Sequence, residues 1–139
     1  MMRAMARPVL VVEDDAGELT LLREAFEECH IDHPLVAAQT GDEALALLHD
    51  DANACSPALI LLDLNLPGLS GHELLRRIRS HERTRVVPVL VLSGSDAPGD
   101  IQRSYEARAN AYVIKPETYR DLVELVRAID RFWLGQTLT

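Results

Sequence analysis

Asp63 is the residue in this chain whose position most clearly indicates chemistry. It directly follows the apolar run at 58–62, and a turn sequence, Leu-Pro-Gly at 66–68, comes soon after it. A short apolar run that ends at a turn is typical of a strand buried on both faces. A carboxylate at the carboxyl end of such a strand lies where open α/β sheets bind their ligands. Asp63 is therefore a candidate nucleophile or metal ligand.

Four further reactive side chains stand at the ends of other apolar runs. Glu13 and Asp14 follow the first run of the chain. Ser93 ends the fourth run, and Lys115 follows the fifth. Together with Asp63 they supply the carboxylates, the hydroxyl and the cation that phosphoryl transfer with a divalent metal uses. A carboxylate can attack phosphorus to form an aspartyl phosphate, while a lysine and a hydroxyl stabilise the charge on the transferred group.

The clustered acids also predict a magnesium site. Carboxylates within a few ångströms of each other cannot all stay ionised without a counter-charge, and Mg²⁺ prefers oxygen ligands while keeping several waters. We predict that Asp14 and Asp63 bind the metal directly, that the backbone carbonyl of Asn65 adds a ligand, and that Glu13 binds through water. The alternative is that the three consecutive acids cap the next helix, which suits Asp15 but does not explain all three.

The segments that position these residues alternate between two hydrophobic patterns. Predicted strands cover 9–13, 35–39, 58–63, 87–93 and 111–115. Predicted helices cover 16–29, a segment that starts at Thr40 or Gly41, 71–80, 98–107 and 118–134. This alternation predicts an α/β fold, a doubly wound five-stranded parallel sheet with right-handed crossovers and helices on both faces. Strand order 2-1-3-4-5 brings the first and third strands together, so Glu13, Asp14 and Asp63 should meet at one crevice.

Length and composition restrict the class of protein. The 139 residues predict a single domain over 1–139, with its core at about 8–134 and no output domain after it. The net charge of −8 argues against nucleic-acid binding through phosphate contacts. No apolar run approaches the roughly 20 residues of a membrane helix, and residues 1–7 lack a signal-peptide core. Two cysteines without metal spacing predict a cytoplasmic protein.

Four motifs in order resemble the receiver domain of two-component response regulators, from residue 9 to about 134. They are Val-Val-Glu-Asp-Asp at 11–15, Leu-Leu-Asp-Leu-Asn-Leu-Pro-Gly at 61–68, Val-Leu-Ser-Gly at 91–94 and Ala-Tyr-Val-Ile-Lys-Pro at 111–116. Each motif lies at the end of a predicted strand. The resemblance implies a flavodoxin-like receiver fold and a phosphorelay switch that receives its phosphoryl group from a histidine kinase.

The resemblance also implies a role for each residue of the predicted site. Asp63 is the phosphoacceptor, with Glu13 and Asp14 as the acidic pair. Lys115 stabilises the phosphoryl group. The switch positions are the hydroxyl of Ser93 and the aromatic ring of Tyr112. Gly94, next to Ser93, keeps the site open.

Shorter segments resemble stand-alone response regulators that work with bacterial phytochrome histidine kinases. They are Leu-Asp-Leu-Asn-Leu-Pro at 62–67, Ser-Tyr-Glu-Ala-Arg-Ala-Asn-Ala-Tyr at 104–112 and Phe-Trp-Leu at 132–134. This resemblance makes a bacteriophytochrome kinase the candidate partner and implies a homodimer.

The last predicted strand and helix carry the candidate dimer surface. The helical pattern leaves Val123 and Phe132 outside the face that packs on the core. With Val113 and Trp133 they predict a homodimer contact through strand five and helix five, with or without helix four, or a kinase-docking surface. The alternative is ordinary apolar surface, which every protein exposes.

Two other functions compete with the signalling switch. A phosphohydrolase of the haloacid-dehalogenase type also uses an aspartyl nucleophile, magnesium, a hydroxyl and a lysine. Its nucleophile normally ends the first strand and is followed two residues later by Asp, whereas Asp63 ends the third predicted strand and Asn65 follows it. A phosphorylation-independent binding module would not need Asp63, Asp14 and Lys115 together. The prediction is therefore a switch that catalyses only its own phosphorylation and dephosphorylation.

Overall fold

The computed structural model describes residues 6–50 and 55–135. The strands are β1 Val9–Val12, β2 Leu35–Ala38, β3 Leu59–Leu62, β4 Val89–Ser93 and β5 Ala111–Ile114. The helices are α1 Ala16–Glu28, α2 Gly41–His49, α3 Gly71–Ser80, α4 Pro98–Glu106 and α5 Tyr119–Ile129, which continues into a π-helical turn, Asp130–Leu134. The predicted order of elements is confirmed. The predicted domain also includes residues 1–5, 51–54 and 136–139, which lie outside the described residues.

The sheet is parallel throughout and has the order β2-β1-β3-β4-β5, as predicted. Val12, the last residue of β1, pairs with Leu62, the last residue of β3. The residues that follow Val12 and Leu62 therefore lie at the same edge of the sheet. This register places Glu13 beside Asp63.

Apolar side chains alternate between the two faces of the sheet and form two core layers. One layer joins Leu10, Ile60 and Val89 to α2 and α3. The other joins Leu61 and Leu90 to α1 and α5. No helix in the described part of the chain is long and apolar enough to span a membrane.

Polar caps fix where four of the helices begin. The side chains of Asp15, Thr40, Ser70 and Thr118 each accept a hydrogen bond from a backbone N–H of the first helical turn. The expectation that Asp15 caps α1 is confirmed. Helix α4 starts instead with Pro98, after Ala97, which provides no side-chain cap.

The predicted orientation of α5 is wrong at Val123. Its side chain is only 5% exposed and packs in the core layer shared with α1, so it cannot form a dimer surface. The buried face of α5 consists of Val123, Val126 and Ile129, while Leu122 and Leu125 are partly buried. Because both sets of positions are apolar, the sequence pattern does not determine which of them faces the core.

The other residues of the predicted surface differ in how far solvent reaches them. Phe132 is 69% exposed and meets Trp133 edge to face, with ring centroids 5.0 Å apart. Val113 and Trp133 are partly buried. Ile114, the last residue of β5, is also exposed.

Candidate functional site

Three carboxylates converge at the carboxyl ends of β1 and β3. Glu13, Asp14 and Asp63 each offer an oxygen, and these oxygens lie within 4.8 Å of one another. Glu13 and Asp63 are buried, whereas Asp14 faces solvent. The convergence expected from the strand order is therefore present.

Lys115, which directly follows β5, brings a cation into this cluster. Its backbone N–H donates to the carbonyl of Ser93 at 2.8 Å, which continues the pairing of β4 and β5 beyond the last strand residue. Its Nζ lies 3.0 Å from Asp63 Oδ2 and 3.1 Å from Glu13 Oε1. The sequence predicted both the position and the charge of this side chain.

Glu18 is a third partner of Lys115, which no sequence motif predicted. The two oxygens of its carboxylate lie 3.0 and 3.1 Å from Lys115 Nζ. Glu18 stands in the first turn of α1, which begins directly after the acidic cluster. A carboxylate in the first turn of a helix that starts at the site is the signal that could have revealed it.

The electrostatics of the site leave it short of positive charge. Burial raises the pKa of Glu13 to about 7, and the charge of Asp63 adds to this shift, while hydrogen bonds from the Asp15 N–H and Lys115 oppose it. For Lys115, burial acts to lower the pKa, but hydrogen bonds to Asp63, Glu18 and Glu13 outweigh burial and raise it above its usual value. Lys115 is therefore positively charged, and it contacts three carboxylates.

The donor set fits a hard divalent cation. Only carboxylate oxygens make up the cluster of Glu13, Asp14 and Asp63, and oxygen-rich sites suit Mg²⁺ and Mn²⁺. Asn65, predicted to add its backbone carbonyl, lies in the turn after Asp63, and its N–H donates to Asp63 Oδ1 at 3.0 Å. This bond holds one oxygen of the Asp63 carboxylate, while Lys115 contacts the other.

A glycine holds the turn after Asp63 close to α3. A Cβ atom on Gly71 would lie 2.6 Å from the Cα of Leu64 and 2.8 Å from the carbonyl oxygen of Asp63. No side chain fits there without moving the backbone that carries Asp63. No sequence pattern predicted this role of Gly71.

The predicted switch residues lie on the loop between β4 and α4 and beside it. Ser93 is fully buried, and its hydroxyl accepts a hydrogen bond from the N–H of Ser95 at 3.1 Å. A Cβ on Gly94 would meet no atom within 4 Å, so this position faces open space. The hydroxyl of Tyr112 donates to the carbonyl of Ser95 at 2.7 Å.

Ser95 and Asp100 extend this set of contacts into α4. The hydroxyl of Ser95 donates to Asp100 Oδ2 at 2.6 Å. A chain of polar contacts therefore runs from Ser93 through Ser95 to Tyr112 on β5 and Asp100 on α4. Neither Ser95 nor Asp100 was predicted, because the hydrogen bond between them depends on the conformation of the loop between β4 and α4.

A family comparison decides among the three functions. Residues 9–127 match the model of the response regulator receiver domain. The chain belongs to the response regulator receiver family. Receiver domains take phosphoryl groups from histidine kinases in two-component phosphorelays, and they are regulators, not a family of catalytic enzymes. The haloacid-dehalogenase alternative is not supported.

Individual relatives cover nearly the whole receiver domain. The response regulator Rcp1 of Synechocystis is 37% identical over 94% of this chain and 90% of its own length. The probable methanogenesis regulatory protein FilR2 of Methanothrix harundinacea is also 37% identical, over 91% of this chain and 83% of its own.

Solved structures agree with the receiver fold and with a metal at its site. The phosphorylated cyanobacterial phytochrome response regulator RcpA superimposes with a TM-score of 0.88 and 38% identity, over 95% of this chain and 97% of its own. The Mn²⁺-bound form of Rcp1 superimposes with a TM-score of 0.84 and 36% identity, over 94% and 96% of the two chains. The acidic cluster of this receiver domain could likewise bind a metal ion.

Proposed function

We propose that Asp63 accepts a phosphoryl group from a histidine kinase in a reaction that requires Mg²⁺ at the acidic cluster. The observation that carries this proposal is the buried Asp63 carboxylate, 3.0 Å from the Lys115 ammonium and within 4.8 Å of the oxygens of Glu13 and Asp14. Asp14, Asp63 and the Asn65 carbonyl would hold the ion, with Glu13 binding through water. When bound, Mg²⁺ neutralises negative charge on the phosphoryl oxygens.

The residues of the chain account for the transfer itself. A carboxylate oxygen of Asp63 attacks the phosphorus of phosphohistidine, the P–N bond breaks with its electrons returning to the imidazole, and an acyl phosphate forms. Lys115 stabilises the negative charge on the transferred group, and the Ser93 hydroxyl donates to it. Gly94 leaves space for the phosphoryl group beside Ser93.

The same site supports self-catalysed dephosphorylation. A water molecule attacks the phosphorus, the bond between phosphorus and the Asp63 oxygen breaks, and inorganic phosphate leaves the restored carboxylate. This is the only hydrolytic activity that we assign to the chain. The polar chain from Ser93 to Tyr112 and Asp100 would carry the change of state to α4 and β5.

Acetyl phosphate, a small phosphoryl donor, tests the assignment without a kinase. The wild-type protein, incubated with acetyl phosphate and MgCl₂, should gain the mass of one phosphoryl group. Asp63→Asn should gain none, because an amide is not a comparable nucleophile. A mass gain that persists in Asp63→Asn would contradict the role of Asp63.

We further propose a bacteriophytochrome histidine kinase as the phosphoryl donor. Support comes from RcpA, which is a phytochrome response regulator, and from the segments 62–67, 104–112 and 132–134. FilR2, at similar identity, is a methanogenesis regulator, so kinases of other classes are the necessary comparison. Phosphotransfer at short times should be fastest from a phytochrome kinase, and equal rates from all kinases would contradict the pairing.

The association state that we propose is a homodimer through β5 and α5. Exposed Phe132 and Ile114 support it, and Val113 and Trp133 are partly exposed. Apolar side chains on a small acidic protein favour a closed two-fold contact, which uses the same surface twice. The net charge of −8 makes nucleic acid an unfavourable partner.

A further inference from the structure

We propose, building on the proposed function of Asp63, that Glu18 is a positioning residue that restrains Lys115 in the unphosphorylated protein. By occupying one N–H of Lys115, Glu18 weakens the binding of a phosphoryl group at Asp63. The site therefore binds the phosphoryl group more weakly than the same site would without Glu18.

The donors of Lys115 are fully used in the resting state. A lysine ammonium has three N–H donors and no acceptor. Nζ of Lys115 contacts three carboxylates, those of Glu13, Asp63 and Glu18, at 3.0 to 3.1 Å. A phosphoryl group on Asp63 can therefore gain a hydrogen bond from Lys115 only when one of these contacts is released.

The exposure of the three partners shows which contact is released most easily. The side chains of Glu13 and Asp63 are 8% and 5% exposed, whereas that of Glu18 is 45% exposed. Separating a buried pair leaves an uncompensated charge. Water can solvate the freed carboxylate of Glu18, and an exposed ion pair contributes little. Glu18 is therefore the partner that the phosphoryl group displaces.

The position of Glu18 separates this role from metal binding. Its backbone N–H donates to the capping side chain of Asp15 at 3.0 Å, which fixes the turn that carries it. Glu18 is not part of the group formed by Glu13, Asp14 and Asp63. Replacement of Glu18 should therefore change the hydrogen bonding of Lys115 and leave the metal ligands in place.

The test compares the affinity for beryllofluoride, a phosphoryl mimic, at saturating MgCl₂. NMR of the Asn65 backbone amide, which contacts Asp63 Oδ1, follows the titration, with Asp63→Asn as the blank. Glu18→Gln should bind the mimic roughly two- to fivefold more tightly, the range expected for loss of a half-exposed ion pair. Glu27→Gln, which removes the same charge from an exposed position of α1, should bind like wild type.

Each outcome of this titration is decisive. If wild type binds and Glu18→Gln binds equally or more weakly, the role of Glu18 is overturned and that of Asp63 stands. An equal gain in Glu27→Gln overturns it as well, because net charge alone would then explain the effect. If wild type does not bind at all, both the role of Glu18 and the proposed function are overturned.

A second readout follows Lys115 directly. Without the mimic, the ¹³Cε resonance of Lys115 should shift in Glu18→Gln and stay unchanged in Glu27→Gln. A purely structural effect on α1 would not move this resonance selectively. If it is identical in wild type and Glu18→Gln, the two side chains do not contact each other in solution, and the proposal is overturned.

Discussion

At the scale of single residues, the site is dominated by an imbalance of charge. Lys115 is paired with Glu13, Glu18 and Asp63, and Asp14 lies beside them. Burial of Glu13 raises its pKa to about 7, and the charge of the neighbouring Asp63 adds to this shift, so keeping both carboxylates ionised is costly. A divalent cation relieves that cost, and a phosphoryl group adds to it. The two ligands should therefore bind cooperatively.

The exposed carboxylate of Asp14 should account for much of the metal affinity. Asp14→Asn removes a direct ligand, so Mg²⁺ should bind roughly tenfold or more weakly, since even outer-shell partners of a metal contribute that much. Calorimetric titration with MgCl₂ measures the effect. Asp15→Asn is the matched control, because Asn remains a good helix cap and Asp15 is not in the cluster. Equal affinities of wild type and Asp14→Asn would show that Asp14 is not a ligand.

At the scale of elements, the site depends on turns that follow the strands. Neighbouring strands bring Glu13 and Asp63 together, but the exact placement of Asp63 depends on how its turn packs against α3. Gly71 allows the turn and the helix to touch, with no space for a side chain between them. Precision in the site therefore comes from the β3–α3 junction as well as from the sheet.

Gly71→Ala should destabilise the fold and disturb the site together. The added methyl group must displace Leu64 and the Asp63 carbonyl, which should cost about 1–3 kcal/mol of the free energy of unfolding and weaken Mg²⁺ binding. Urea unfolding measures the first effect. Gly94→Ala is the control, since its methyl group meets open space, and its stability should lie within about 0.5 kcal/mol of wild type. Equal stability of Gly71→Ala and wild type would contradict this packing.

The sequence predicted the elements well because four of the five strand ends, all but that of β2, combine two strong signals. An apolar run gives the strand, and a reactive residue such as Asp63 or Lys115 marks its end. The rotation of α5 was not predictable, since apolar residues on adjacent faces allowed Val123 to point either way. Glu18 and Ser95 were missed because their contacts depend on side chains that reach across loops, which no periodic pattern encodes.

At the scale of the whole molecule, two exposed apolar side chains bear on the proposed dimer. Phe132 lies in the π-helical turn after α5 and is 69% exposed, and Ile114 ends β5 and is 50% exposed. The acidic site is formed at the carboxyl ends of the strands, and Tyr112 lies on β5, the strand that Lys115 follows. Its hydrogen bond to Ser95 gives phosphorylation a route to change association. The size of any such change is limited by the difference in phosphoryl affinity between the two association states.

Replacement of Phe132 should weaken the proposed dimer. Phe132→Ser removes a large apolar side chain that is 69% exposed, so the dimer fraction measured by light scattering over a concentration series should fall. Val86→Ser, which changes an even more exposed side chain outside β5 and α5, should leave it unchanged. A monomeric mass for the wild type at high concentration, with and without beryllofluoride, would contradict the dimer and leave this surface available for kinase docking.

The central claim is that the phosphoryl group resides on Asp63, and chemical trapping tests it most directly. Sodium borohydride reduces an aspartyl phosphate to homoserine, so the modified position can be read by peptide fragmentation and mass spectrometry. After phosphorylation by a histidine kinase in the presence of MgCl₂, homoserine should replace aspartate at position 63. Homoserine at Asp14, Asp15 or another aspartate, or none after confirmed phosphorylation, would contradict the account.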